Sequence, residues 1–469
     1  MSPSPNLNPV TSISDGGPEF RLGSDTTMSD SPTSPSLPDR DVSEAEGRDR
    51  DGGPVLVVVG LGYVGLPLAV EATAQGLTCI GLDVSTDVVD RLNDGRSHVD
   101  DIDDQEIAEM LEQGFRATTD AGCLDSADIA VICVPTPLDD HRAPDLRAVR
   151  SAGEMIRDHL HSGMLVVLES TTYPGTTDGI LRDILEESGL VAGVDFHLAF
   201  SPERIDPGNL EFGLRNTPKI VGGLTPECTK IATAFYEQIV ETVVPTKGPR
   251  EAEMAKLLEN TYRHVNIALV NEMAVFSHEL GVDLWAAIDA ASTKPFGFSA
   301  FYPGPGVGGH CIPIDPNYLS HQVRSLGYQF RFVELAQEIS QRMPAYVVKR
   351  VQDQLNQHAK PVKDSMVLLL GLTYKPDIAD DRETPARDIV RELRTLGAHV
   401  VGHDPNLSEF VVDDDAVILA ADLETALSEC DIAVILQHHR EYSEVDISDH
   451  ARLVFDTRGR LHASNVDRL

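Results

Sequence analysis

Basic residues are scarce in this 469-residue sequence. Its 38 lysines and arginines stand against 75 aspartates and glutamates, a formal net charge of −37. A surface of that sign repels phosphate, which excludes a general affinity for nucleic acid. The same excess points to adaptation to high salt, where a hydrated acidic surface keeps a protein dissolved. Cysteine is sparse as well. The six are Cys79, Cys123, Cys133, Cys228, Cys311 and Cys430, and no pair has CxxC spacing, so neither a metal site nor a dithiol redox site is expected. Cys79 and Cys133 sit in apolar runs and read as small core residues. A reducing cytoplasm suits this pattern better than a disulfide scaffold. No run approaches the roughly 18 uninterrupted apolar residues of a membrane helix. No basic stretch followed by an apolar one marks the N-terminus, so neither membrane insertion nor a secretory leader is expected.

What is present is a sequence that is 41% hydrophobic, ample for a core, and long enough for about three domains. Residues 1–52 are rich in Ser, Pro, Gly and Asp without apolar periodicity, the composition of a disordered tail. From Pro54 onward, apolar runs alternate with amphipathic stretches. Strands are expected at 55–59, 78–82, 129–134, 165–168 and 197–200, and again at 366–370, 400–402, 432–436 and 453–455. Strands alternating with helices indicate an α/β chain with parallel, doubly wound sheets. Residues 250–280 read as one long helix, and a loop rich in Pro and Gly follows from Lys294 to Pro316. The order is thus sheet domain, helical connector, sheet domain.

Gly60-Leu61-Gly62-Tyr63-Val64-Gly65 follows the first strand and opens a helix, and the next strand ends at Asp83. A GxGxxG motif alone is weak, but this setting is that of a dinucleotide site. Gly60 permits the tight turn, Gly62 lets backbone approach a pyrophosphate, and Gly65 allows close helix packing. Unpaired N–H groups at the helix start face the phosphates. Asp83 accepts from ribose hydroxyls and repels a 2′-phosphate, so NAD is favoured over NADP.

The most informative segment is Gly304-Pro305-Gly306-Val307-Gly308-Gly309-His310-Cys311-Ile312-Pro313-Ile314-Asp315-Pro316. Small and rigid residues let backbone approach a bulky ligand and fix one thiol. A thiolate is the usual nucleophile for capturing an aldehyde, and His310 and Asp315 are placed to tune its protonation. On the long helix, Lys256, Asn260, Arg263 and Asn271 recur on one face. Asn is a poor helix former, so the face hints at a ligand surface, although polar faces more often meet solvent.

These residues resemble the UDP-glucose/GDP-mannose dehydrogenase family over nearly everything after the tail. The likeness rests on the motif at 60–65, Val-Pro-Thr-Pro at 134–137, Ser-Thr-Thr-Tyr-Pro-Gly-Thr-Thr at 170–177, Ser-Pro-Glu-Arg at 201–204, Lys256 with Asn260, Gly-Gly-His-Cys at 308–311, and Gly-Leu-Thr-Tyr-Lys-Pro at 371–376. It implies two Rossmann-like domains joined by a helical one: an NAD domain at 53–245, a dimer-forming centre at 246–345 and a UDP-sugar domain at 360–469. It implies a cytoplasmic homodimer serving polysaccharide biosynthesis, and oxidation of a sugar CH2OH to a carboxylate with two NAD. It further implies Cys311 as nucleophile, Lys256 and Asn260 at the oxyanion, Asp315 and Thr171 about a water, and Glu203 in the same pocket. Tyr63, Val64, Pro135, Thr136 and Arg382 would join the glycines and Asp83 around the cofactor. Arg204, Arg263, Gly308, His310, Tyr374 and Lys375 would meet the substrate.

Two positions depart from the UDP-glucose pattern. Ile314 stands where that branch has Lys before the Asp, and Pro207 replaces a second Glu. Both look like the N-acetylhexosamine branch, so UDP-N-acetyl-D-mannosamine is the expected substrate, with UDP-N-acetylglucosamine or UDP-glucose as alternatives. A two-electron hydroxyacid dehydrogenase would need no cysteine. A non-catalytic NAD-binding regulator would leave Cys311, Lys256, Asn260 and Asp315 unexplained.

Overall fold

A computed structural model describes residues 53–99, 101–139, 143–206, 208–209, 211–309 and 312–469. The expected tail at 1–52, His310 and Cys311 lie outside the described residues. Among the described residues the first sheet contains β1 (Val55–Val59), β2 (Thr78–Leu82), β3 (Arg116–Thr118), β4 (Ile129–Ile132), β5 (Leu165–Leu168), β6 (His197–Phe200), β7 (Lys219–Gly223) and β8 (Val243–Pro245). Their order is β3-β2-β1-β4-β5-β6-β7-β8. The strands from β3 to β6 are parallel, and β7 runs antiparallel to β6. Helices cover both faces, so β4 and β5 are buried along their whole length and read as unbroken apolar runs. Strand order reverses between β1 and β4, which opens a crevice at the carboxyl ends.

The second sheet contains β9 (Met366–Leu370) and β10 (His399–His403). A small hairpin of β11 (Val411–Val412) and β12 (Asp415–Ala416) stands apart from it. The sheet then takes in β13 (Ile418–Leu419), β14 (Ile432–Ile435), β15 (Val454–Asp456) and β16 (Val466–Arg468). The order β13-β10-β9-β14-β15-β16 repeats the winding of the first sheet. The likeness extends to single bonds. Gly60 N donates to Leu82 O at 2.8 Å and Leu61 N to Asp83 Oδ2 at 2.8 Å. Gly371 N donates to His403 O at 2.9 Å and Leu372 N to Asp404 Oδ2 at 2.7 Å. In the second sheet His439 closes the carboxylate off. Its Nδ1 accepts from Asp377 N, so Nε2 carries the proton shared with Asp404 at 3.0 Å.

Four strands differ from the sequence expectation at their ends, among them β10, one residue longer on each side than 400–402, and β14, which stops at Ile435. The run 129–134 pairs only to Ile132, because the chain then turns toward the crevice at Val134 and Pro135. The last run is shifted by one, to Val454–Asp456. The long helix spans Pro249–Glu279. Pro249 suits its first turn, where no N–H acceptor is lost, and Gly281 in the left-handed region follows its end. Val270 and Ala274 of this helix share a core with Met343, Val347 and Val351 of the helix Arg331–Gln357. The Pro/Gly loop is shorter than expected. Asp315 and Pro316 already open the helix Asp315–Ser325, since proline at its first turn presets the helical φ.

Candidate functional site

A cavity of about 1630 Å³ lies between the carboxyl ends of both sheets and one face of the long helix. That exceeds the usual 300–1,000 Å³ of a single small-molecule pocket, so there is room for a dinucleotide and a second ligand. The loops after β1, β4, β5 and β6 line one side, through Gly60–Val64, Pro135 and Thr136, Ser170 and Thr171, and Glu203–Asp206. The loops after β9, β14 and β15 line the other, through Tyr374–Pro376, Gln437 with His438, and Arg458–Arg460.

The first side fits a dinucleotide. Gly60 has φ +93°, and a Cβ there would meet Cys133 O at 2.8 Å. A Cβ on Gly65 would meet Gly60 O at 1.9 Å, so this glycine serves helix packing and does not itself line the cavity. Asp83 lines the cavity while its two oxygens accept from Leu61 N and Ser85 N, which fixes the carboxylate. Thr136 Oγ1 donates to Thr171 O at 2.8 Å, joining the loops after β4 and β5. Arg382 reaches across from the second lobe. It is paired with Asp380, and its guanidinium stands over the Tyr63 ring at 5.2 Å.

Lys256, Asn260 and Arg263 of the long helix all line the cavity. Lys256 Nζ donates to Glu203 O at 2.6 Å. Asn260 Nδ2 donates to Asp315 Oδ2 at 2.5 Å, and both residues are buried. The face expected from helical spacing is therefore only partly a ligand surface. Asn271 is fully buried, and its Oδ1 accepts from Gly304 N at 2.9 Å, so it anchors the middle of the Pro/Gly loop instead. Glu203 lines the cavity too, but Oε1 accepts from the N–H groups of Arg204 and Ile205, and Oε2 accepts from buried Lys219. Against the penalty of burial, Lys219, the Ile205 N–H and the Lys256 charge hold the Glu203 carboxyl below its ordinary range. Arg204 pairs with Glu259 at 2.6 Å.

Burial pushes the Asp315 carboxyl up to about 6, against the opposing pull of Lys256 and the Asn260 hydrogen bond. Asp315 is then protonated below about pH 6 and ionised above it. If its carboxylate serves as a base, kcat falls about tenfold for each pH unit below 6. Asp315→Asn should lose that acid limb along with most of its rate. A pH–rate profile of the variant that keeps the limb would remove Asp315 from the role.

The Pro/Gly loop is pressed against the second lobe. A Cβ on Gly309, whose φ is +81°, would meet the Tyr374 ring at 2.5 Å, and Gly309 N donates to Arg382 O at 3.1 Å. Lys375 pairs with Asp206 at 2.8 Å, from one side of the cavity to the other. Gly308, Tyr374 and Lys375 are thus brought to the cavity with Arg204 and Arg263. Several residues there went unnoticed in the sequence. Arg458, Arg460, Arg468 and His438 line the second lobe. Burial pulls the Arg458 guanidinium down to about 10. Three arginines in the last twelve residues were the available signal. Glu169 and Lys219 were also missed, although a charged residue at the end or start of an apolar run was legible. Among the described residues, no group of three or more His, Cys, Asp or Glu could hold a metal ion.

Three family models match the chain in sequence. They are the NAD binding domain of the UDP-glucose/GDP-mannose dehydrogenase family at residues 55–240, its central domain at 250–342, and its UDP binding domain at 368–463. The chain belongs to the UDP-glucose/GDP-mannose dehydrogenase family. It is an NAD-dependent nucleotide-sugar dehydrogenase, and Gly60 and Asp83 lie within the span that matches the family's NAD binding domain. A UDP-N-acetyl-D-glucosamine 6-dehydrogenase of Pseudomonas aeruginosa is 38% identical over 75% of this chain and 83% of its own. An NDP-N-acetyl-D-galactosaminuronic acid dehydrogenase of Ralstonia solanacearum is 36% identical over 87% and 96%. The solved UDP-D-ManNAc dehydrogenase of Pyrococcus horikoshii superposes with a TM-score of 0.80 at 32% identity, covering 88% of this chain and 98% of that one. Among the described residues, no helix of this dehydrogenase is long and apolar enough to cross a membrane.

Proposed function

We propose that the enzyme oxidises the C6 hydroxymethyl of a UDP-N-acetylhexosamine to a carboxylate, with UDP-N-acetyl-D-mannosamine as the preferred substrate. The observation that carries this reading is one cavity shared by the NAD crevice, Lys256, Asn260, Asp315 and an arginine-lined second lobe. The relatives' names support an N-acetylated sugar, and Ile314 and Pro207 depart from the UDP-glucose pattern in the same direction. UDP-N-acetylglucosamine is the second reading, favoured by the 38% identical relative.

Bound NAD supplies the hydride acceptor, and the glycine turn, Asp83, Pro135 and Thr136 hold it. The remaining chemistry belongs to this chain. Lys256 and Asn260 steady negative charge as it grows on the C6 oxygen. The Cys311 thiolate adds to the aldehyde carbon and forms a thiohemiacetal. After the second oxidation the sugar is held as a thioester, which a water between Asp315 and Thr171 cleaves. Keeping the aldehyde bound to sulfur prevents its escape. Glu203 supports Lys256 through its carbonyl, and Arg204, Arg263, His310, Gly308, Tyr374 and Lys375 shape the sugar-nucleotide end.

The domains follow the bounds 53–245, 246–345 and 360–469. A homodimer accounts for the apolar residues Leu258, Tyr262, Leu269 and Phe276, all exposed along the long helix, and for exposed Leu280 just past its end. A cytoplasmic enzyme adapted to molar salt accounts for the charge of −37. The test is a panel of UDP-ManNAc, UDP-GlcNAc and UDP-glucose in high salt, with NADH release and uronate identified. The highest kcat/KM is expected for UDP-ManNAc. A clear preference for UDP-glucose would overturn the N-acetylhexosamine assignment.

A further inference from the structure

Lys219 opens β7 inside the first sheet, and only 2% of its side chain is exposed. Its Nζ lies 3.0 Å from Glu169 Oε1 and 3.1 Å from Glu203 Oε2, and 5.2 Å from the centre of the Tyr236 ring. The Tyr236 hydroxyl donates to the same Glu169 oxygen. Burying an ammonium is unfavourable unless it is well paired, and a buried ion pair is often no more stable than apolar residues of similar volume. A stability role alone therefore explains this cluster poorly in a strand that otherwise reads Ile-Val-Gly-Gly.

The cluster's position suggests a different role. Both carboxylates line the reaction cavity. Glu169 ends the strand-loop junction two residues before Thr171. Glu203 lies in the turn after β6, where its Oε1 accepts two N–H groups of that turn at 2.6 Å each. The backbone carbonyl of the same Glu203 accepts Lys256 Nζ. Burial raises the Glu169 carboxyl while Glu203 is held down, and both carboxylates hold the Lys219 ammonium between them.

We propose that Lys219 is a positioning residue for the dehydrogenase reaction: it clamps the carboxylates beyond β5 and β6, fixes the turn at 201–205, and through the Glu203 carbonyl sets the place of the Lys256 ammonium. The proposal rests on the reading in which Lys256 holds the C6 oxygen. Lys219 itself touches neither sugar nor cofactor.

The experiment compares Lys219→Met, Lys219→Arg, Lys256→Ala and the double variant Lys219→Met/Lys256→Ala by steady-state NADH release. Misplacing a catalytic group by about 1 Å costs on the order of 100-fold, so Lys219→Met should lose about that in kcat. KM for UDP-sugar and for NAD should stay within about threefold, because the loss lies in the transition state. Lys219→Arg should recover most of the rate by restoring the cation. The double variant should be no slower than Lys256→Ala alone, since no ammonium remains to be placed. Wild-type kcat in Lys219→Met, or losses that multiply in the double variant, would overturn the proposal. If Lys219→Met does not fold, Lys219→Met/Glu169→Gln removes one buried charge of each sign and takes its place. The same loss of kcat supports the clamp, and an unimpaired kcat refutes it. Absence of NADH from the wild-type enzyme would instead defeat the reaction reading.

Discussion

Cys311→Ser should abolish uronate formation, with a fall in kcat of at least about 1,000-fold, as when a covalent nucleophile is removed from an enzyme that depends on it. A serine hydroxyl remains protonated at neutral pH and adds to an aldehyde far less readily than a thiolate does. NAD affinity should not change, because the crevice built from Gly60, Asp83 and Thr136 involves loops after β1, β2 and β4. The check is a pair of measurements on one preparation: uronate produced from UDP-sugar, and NAD binding by calorimetry. Undiminished turnover with normal binding would remove Cys311 from the chemistry.

Lys256→Ala should lower kcat by about 100- to 1,000-fold, the usual cost of deleting one donor to a developing oxyanion. The lysine is half-buried and has three N–H donors, one of which is committed to Glu203 O at 2.6 Å. The others are available to a ligand in the cavity. The loss should appear in kcat and kcat/KM equally, since the interaction strengthens only as charge grows on the sugar oxygen. A rise in KM with unchanged kcat would mean that Lys256 holds the substrate and not the transition state.

The parallel strands were legible because burial on both faces leaves Val, Leu and Ile in unbroken runs, as at 129–132, 165–168 and 366–370. β3 and β8 were not. They are three residues each, one opens with exposed Arg116, and the other closes with Pro245. β7 was hidden by its leading lysine, whose partners Glu169 and Glu203 lie 50 and 16 residues away and cannot be paired from local pattern. The glycine turn at 60–65 was readable because its context is local: a strand before, a helix after, and an acid at the end of the next strand.

Helical spacing behaved differently at the site. It grouped Lys256, Asn260, Arg263 and Asn271 on one face, and three of these line the cavity. Asn271 meets Gly304 N instead, a contact set by where the loop returns to the helix. Periodicity places residues on a face but does not say what that face meets farther along. The arginines at 458, 460 and 468 escaped notice for a related reason. Only the second sheet's winding brings the ends of β15 and β16 toward the same cavity as Gly60.

Counting NADH against UDP-sugar in a reaction run to completion, with substrate limiting and NAD in excess, tests the central claim most directly. Oxidation through a sulfur-bound aldehyde predicts two NADH for each sugar, equal to twice the uronate formed, with no free aldehyde trapped by a hydrazine. One NADH per sugar, with the product recovered as an aldehyde, would contradict it.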